Sequence, residues 1–169
     1  YEGDMMIAAD GIHSTVRKFY YPDEGPPKFS GRILWRGVTY GAPFLTGKSM
    51  IMAGHQDQKF VAYPIDLNTS EKGEALINWI AELTIEDDMP SRADWNKNID
   101  KQKFAPEFAK WNFDWLNVPE LIDQADAVYE FPMVDRDPLP RWTFGRLTLL
   151  GDAAHPMYPI GSNGASQAI

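Results

Sequence analysis

Two aspartates stand where a chain can handle a polar ligand. Asp152 closes the apolar run "LTLLGD" (147–152), and a loop with two prolines and two glycines follows it. A carboxylate at the carboxyl end of a buried strand accepts hydrogen bonds from sugar or polyol hydroxyls, and ligands of open α/β sheets bind at that edge. Gly161 and Gly164 let backbone approach a flat or charged group. The stretch "NGASQAI" (163–169) starts like a helix. Its free N–H groups and positive dipole end stabilise an electron-rich or anionic group. An ordinary strand–turn–helix with glycines kept for packing uses the same residues. The second aspartate, Asp10, stands with Gly11 after "MMIAAD" (5–10), and Arg17 lies six residues beyond Gly11. An arginine there pairs with a carboxylate or phosphate, or forms a surface salt bridge.

Further candidates lie between and beside these motifs. Arg36 in "LWRGV" holds a substrate carboxylate or a cofactor edge, or forms a strand-end salt bridge. Tyr63 in "FVAYP" faces a pocket or packs as a core aromatic with its hydroxyl satisfied. Tyr158 and Met157 line a pocket or simply pack. His155 is read as ordering the loop after Asp152, and His55 as a solvent-exposed turn residue. Trp35, Trp79, Trp111 and Trp142 are assigned to the core. No residue is singled out as a catalytic base.

The elements that must position these residues change character along the chain. A short strand (5–10) and a short helix capped at Ser14 or Thr15 (13–21) open it. "YPDEGPPKFSG" (21–31) has three prolines and two glycines and reads as a loop. Residues 32–41 have strand character. Residues 49–66 read as a β-hairpin about the polar turn "GHQDQK", with Pro64 closing the second strand. Leu76, Ile77, Ile80 and Leu83 follow helical spacing, so 69–85 is expected to be a helix capped by Ser70. One or two short helices broken near Pro106 are expected over 96–116. A helix with Pro119 in its first turn is expected over 118–126. Residues 127–140 read as a strand and turn. Residues 141–154 read as a tight turn at Gly145 and a strand covered on both faces, as in a parallel α/β sheet. The fold class is thus α+β / α/β. An antiparallel sheet with helices (30–140) is inserted between two pieces of another domain (1–29 and 141–169).

Composition limits the partners. The chain has 169 residues, 44% of them apolar and 13% aromatic, enough for a packed core. Its net charge of −8 argues against nucleic acid and anionic membranes, which want a basic face. No cysteine is present, so neither disulfides nor Cys-ligated metal sites are available, and no metal site is expected. This fits a cytoplasmic protein. No run approaches the ~18 apolar residues of a membrane span. The chain opens at "YEGDMMIAADG" without an initiator Met and closes inside a helix, so it reads as an internal piece of a longer protein.

Taken together, the two end motifs resemble those of the aromatic-ring FAD-dependent monooxygenases, relatives of p-hydroxybenzoate and salicylate hydroxylases. "ADGIHSTVR" (9–17) is similar to the family's DG motif. "GRLTLLGDAAHPMYPIGSNGASQAI" (145–169) is similar to its GD motif, most of all in the phenazine hydroxylase branch. "WRGV" and "FVAYPI" are also family-like. The resemblance implies that the two ends are parts of a Rossmann-like FAD-binding domain and that the middle is a substrate-binding sheet domain. It implies that Asp152 bonds the FAD ribityl chain, with Gly151 shaping its turn. It sets Pro159, Gly161, Ser162, Asn163 and Gly164 against the isoalloxazine, and Asp10, Gly11 and Arg17 near the pyrophosphate and in NAD(P)H use. Arg36, Tyr63 and Tyr158 become candidates for holding a small aromatic substrate. The implied reaction reduces FAD with NAD(P)H, forms a C4a-hydroperoxide with O2 and hydroxylates an activated ring.

Two features temper this. Ala8-Ala9 stands where many members have Gly-Ala. The family's first motif, G-x-G-x-x-G with its later acidic residue, is not in this chain. By itself the chain is therefore expected neither to bind FAD tightly nor to turn over. The alternatives are a non-hydroxylating flavoprotein of the same fold or a non-catalytic module. A halogenase would need W-x-W-x-I-P, and "WNFDW" has different spacing and no Ile-Pro.

Overall fold

The computed structural model describes residues 2–66, 73–86, 98–159 and 163–168. In chain order they form β1 (Met6–Ala8), α1 (Thr15–Tyr20), β2 (Lys28–Gly41), β3 (Ile51–Gly54), β4 (Gln58–Asp66), β5 (Ala75–Thr84), β6 (Asn112–Phe113), β7 (Leu116–Asn117), α2 (Val118–Asp123), β8 (Val128–Asp135), β9 (Thr143–Phe144), β10 (Leu147–Leu149) and α3 (Gly164–Gln167). The chain divides into two compact units, 1–30 with 133–169, and 31–132.

The first unit is built from the two ends of the chain. β1 pairs in parallel with β10, Met6 opposite Leu147 and Ala8 opposite Leu149, and β9 adds an antiparallel edge. Ala8, Leu149 and Ala154 form its buried cluster, with Val16 and Leu139 against it. Because β1 and β10 run the same way, the loops after them leave the same edge of the sheet. β10 is less enclosed than its apolar sequence suggests. Leu149 is buried, whereas Leu147 and Thr148 are only partly covered.

The second unit is a five-stranded sheet in the order β3-β4-β5-β2-β8. Its β3/β4, β4/β5 and β5/β2 pairs are antiparallel. One face carries Ile33, Trp35, Phe60, Ile77 and Trp79, all buried. Trp35 stacks on Phe104 with ring centroids 4.7 Å apart, and Phe60 lies against both Trp79 and Phe108. Gly37 is required here. A Cβ at that position would run into the Trp79 indole, which lies directly over the β2 backbone. Thr39 links the layers. Its hydroxyl accepts from Trp79 Nε1 at 3.0 Å and donates to the Leu121 carbonyl at 2.6 Å.

Three sequence expectations are corrected. The segment expected as a helix over 69–85 is strand β5, while its expected cap, Ser70, lies outside the described residues. The same apolar residues fit both periods, but β5 is central. Ala75, Ile77, Trp79 and Ala81 all point to the core, and both backbone edges pair with neighbours. Two-sided pairing and burial outweigh local helical spacing. Within 96–116 the described residues form 3-10 turns at Lys101–Lys103 and Ala105–Phe108, followed by the small β6–β7 hairpin. Pro64 does not close β4. The strand runs on to Asp66 with a register shift after the proline, which has no N–H to donate.

Candidate functional site

At the carboxyl edge of the first unit, the loop after β1 folds back on α1. Asp10 Oδ2 accepts from the Thr15 amide at 2.8 Å and from Val16 at 3.5 Å. The Ser14 hydroxyl caps the helix by accepting from the Arg17 amide at 2.8 Å. Gly11 makes the reversal with φ +77°, and a Cβ there would meet open space. Desolvation raises the Asp10 pKa, but the Ser14 hydroxyl and the backbone amides outweigh it and hold the carboxyl below its ordinary value.

Arg17 is neither on the surface nor free. It is 1% exposed, and its five N–H groups are all engaged. Nε lies 3.1 and 2.8 Å from the two Glu24 oxygens. Nη2 donates to Glu24 and to the Asp137 carbonyl, and Nη1 donates to the Ala153 and Ala154 carbonyls at 3.1 and 2.9 Å. Arg136 completes the cluster, donating to Glu24 at 3.1 Å, to Gly25 at 2.9 Å and to Ile12 at 2.8 Å. The Arg17 hydrogen bond holds the Glu24 carboxyl below its usual range. The charges of Arg17 and Arg136 add to this, against the opposing effect of burial. No donor of Arg17 remains for a phosphate. Its work is to hold the turn after β10.

That turn is a 3-10 turn over Gly151–Ala153. Gly151 has φ +59°, and its carbonyl accepts from the amides of Ala154 and His155 at 2.9 Å each. Ala153 and Ala154 are buried, whereas Asp152 is exposed. No described residue donates a hydrogen bond to the Asp152 side chain. His155 leans on the Trp142 ring, with centroids 4.9 Å apart. Beyond it Tyr158 is half-buried and Pro159 exposed. Asn163 is exposed and precedes α3, which begins at Gly164. Ala168 lies beside Gly151, where a Cβ would approach it to 3.4 Å. Gly161 and Ser162 lie outside the described residues.

The second unit has its own candidate site on the sheet face opposite the core. Cross-strand register aligns Arg36 with Ile80 and Val38 with Asn78 on that face. A cavity of about 620 Å³ opens there, lined by Arg36, Val38, Tyr40, Leu76, Asn78, Tyr129 and Phe131 among others. Asn78 is only 8% exposed, and its Nδ2 is buried without a hydrogen-bond partner. Such an orphan costs about 1–3 kcal/mol. Tyr63 is half-buried and pairs with Asn78 across the strands, but does not line the cavity. On the same face Glu82 is buried between Lys59 and Arg32, 3.5 Å from each.

So the structure gathers Asp10, Gly11, Arg17, Gly151, Asp152, Tyr158, Pro159, Asn163 and Gly164 in one unit, and Arg36 and Tyr63 in the other. Sequence reasoning passed over Asn78, Glu24 and Arg136. Asn78 did leave a signal, as an amide inside the apolar run "ALINWIAEL". Among the described residues no cluster of potential metal ligands occurs, and no helix is long and apolar enough to cross a membrane.

One unit thus carries a parallel strand pair with two glycine-aspartate turns at one edge, and the other an antiparallel sheet with an aromatic-walled cavity. The chain belongs to the FAD binding domain family, which it matches over residues 2–169. It is 44% identical to a phenazine 1,6-dicarboxylic acid hydroxylase of Lysobacter antibioticus, over 100% of this chain and 42% of that protein. It is 34% identical to a 3-amino-4-hydroxybenzoate 2-monooxygenase of Streptomyces platensis, over 99% of this chain and 40% of that protein. Its fold matches that of Klebsiella pneumoniae HpxO, solved with FAD and uric acid, with TM-score 0.74 and 22% identity over 99% of this chain and 40% of that one. The chain thus spans about two-fifths of the length of these relatives.

Proposed function

We propose that this chain is the substrate-holding and flavin-contacting part of an FAD-dependent monooxygenase that hydroxylates a small aromatic substrate with NAD(P)H and O2. The observation that carries this reading is the parallel pairing of β1 with β10. It brings Asp10-Gly11 and Gly151-Asp152 to one sheet edge and leaves the Asp152 carboxylate exposed, with no hydrogen bond from a described residue. The relatives named above support the same chemistry.

The residues present suit FAD. Asp152 offers lone pairs to the hydroxyls of a ribityl chain. Gly151, with positive φ, turns the backbone so that the carboxylate stands at the strand's end. Asp10 and Gly11 sit at the same edge, on the pyrophosphate side. Arg17 acts at one remove, fixing the carbonyls of Ala153 and Ala154 and so the direction of the Asp152 turn. By their place in the family's motif, Pro159, Gly161, Ser162, Asn163 and Gly164 are assigned to the flavin ring. When bound there, FAD would supply the relay of reducing equivalents from NAD(P)H to O2 that hydroxylation of an aromatic ring requires. Arg36 and the aromatic side chains around it hold the substrate, and Tyr63, opposite Asn78 on the same sheet, is the further substrate-side group of that unit. Dependence on NAD(P)H supports a cytoplasmic location.

The test is NAD(P)H-dependent O2 uptake by the full-length protein with a panel of aromatic and heteroaromatic acids, with products identified by mass. Substrate-stimulated uptake with a product one oxygen heavier is expected. A flavin-loaded protein that consumes NAD(P)H but oxygenates no member of the panel would contradict the reading.

A further inference from the structure

The outer edge of β3 lacks the features that keep a sheet edge unpaired. β3 ends the order β3-β4-β5-β2-β8, and no described strand pairs with its outer side. An open edge presents free N–H and C=O groups, and chains that stay apart guard it with charge, proline or a bulge. The stretch "SMIMAG" (49–54) has neither a charge nor a proline, and β3 pairs with β4 in continuous register from Ile51 to Gly54. Met50 and Met52 are 57% and 59% exposed. Such polarisable, adaptable side chains suit a contact surface. Charge stands only at the two ends of the edge. Lys48 precedes it, exposed, and no hydrogen bond or ion pair joins its ammonium to a described residue. Asp57 follows it, with its side chain 71% exposed. The Thr84 hydroxyl donates to the Asp57 carboxylate at 3.4 Å, and the exposed His55 ring lies 3.9 Å from it.

We propose that two copies of this chain pair through β3, edge to edge and antiparallel, about a two-fold axis close to Met52. A two-fold axis sets the same strand of two copies in opposite directions. The Lys48 end of each edge then lies beside the Asp57 end of the other, so the edge complements itself in charge as well as in backbone. The exposed methionines of both copies meet near the axis on one face of the joined sheet. This match at both ends favours a second copy over an unrelated strand, which would gain the backbone bonds alone. The contact uses the edge of each copy once, so it closes at two and leaves no end for a fibre. β3 has four residues. A contact this short falls at the small end of specific interfaces, with dissociation in the micromolar range.

Sedimentation of the full-length protein over about 1–100 micromolar tests the pairing. The wild type should pass from monomer to dimer across that range and form nothing larger. M52E sets two carboxylates against each other near the axis and should weaken the dimer about 100-fold or more. K48D and D57K each set like charges together at both ends and should weaken it about 3–30-fold. K48D/D57K exchanges the charges and should return to within about threefold of wild type. The three positions are exposed, so urea midpoints should stay near wild type, and M52K repeats the test if M52E does not fold. A wild type that stays monomeric at the highest concentration would overturn the proposal, since another part of its own chain or a different protein then covers the edge. So would larger assemblies, a dimer that Met52 substitutions leave intact, or a double variant no tighter than K48D. The pairing involves no flavin, so the outcome is separate from that of the monooxygenase reading.

Discussion

Arg17 and Ala154 are joined across 137 residues of chain, the guanidinium Nη1 donating to the Ala154 carbonyl at 2.9 Å. A buried cation on α1 thereby fixes the backbone of the turn that presents Asp152. The bond is one of a saturated set, and Glu24 is its counter-ion. R17M keeps much of the side-chain volume but leaves Glu24 with Arg136 alone and the Ala153, Ala154 and Asp137 carbonyls without their donor. Breaking a buried pair in this way costs about 3–5 kcal/mol. Urea unfolding of the full-length protein should show that loss. R17K should recover only part of it, since an ammonium cannot reproduce the planar five-donor fork.

Stability should fall in acid through Glu24. Its carboxyl is held below the ordinary value, first by the Arg17 hydrogen bond and then by the charges of Arg17 and Arg136. A depressed folded pKa means that the unfolded chain takes up the proton first as pH falls. The contribution is therefore complete above the ordinary glutamate value of about 4.3 and is lost as pH drops through the lower folded value. E24Q should be less stable than wild type at neutral pH, and its stability should fall less steeply below about pH 5. Unfolding midpoints measured from pH 3 to 7 check this.

Gly37 should not tolerate a side chain. The Trp79 indole occupies the space of its Cβ, and Trp79 is held by the Thr39 hydroxyl at 3.0 Å. G37A must displace the indole and strain that bond. Overpacking of this kind costs about 1–3 kcal/mol. T39V should cost a similar amount, about 1–3 kcal/mol, by orphaning Trp79 Nε1 and the Leu121 carbonyl. Both effects should appear as lowered urea midpoints.

The two end motifs were legible because they are local. Asp10-Gly11 and Gly151-Asp152 each follow a short apolar strand, and the Ser14 cap sits where the helix start predicts it. Strand β2 and the β3–β4 hairpin were legible from their strand character and the polar turn between apolar segments. β5 was not, because Leu76, Ile77, Ile80 and Leu83 satisfy a helical period as well. Only its two strand neighbours decide between them. Arg17 was misjudged for a related reason. In sequence it is an exposed-looking arginine on a short helix, and its partners Ala153, Ala154 and Asp137 are more than a hundred residues away. Asn78 was visible as a polar residue in an apolar strand. Its value as an unsatisfied donor appears only when the cavity around it is seen.

The central claim is that Asp152 and its turn form one wall of an FAD site, and flavin affinity tests it most directly. The full-length protein should purify yellow with FAD close to one per chain. D152A should bind FAD about 10–100-fold more weakly, the loss expected when a charged acceptor is removed. Its unfolding midpoint without flavin should stay near wild type, because no described residue depends on the Asp152 side chain. A full-length protein that folds but binds no FAD, or a D152A variant with unchanged FAD affinity, would contradict the account.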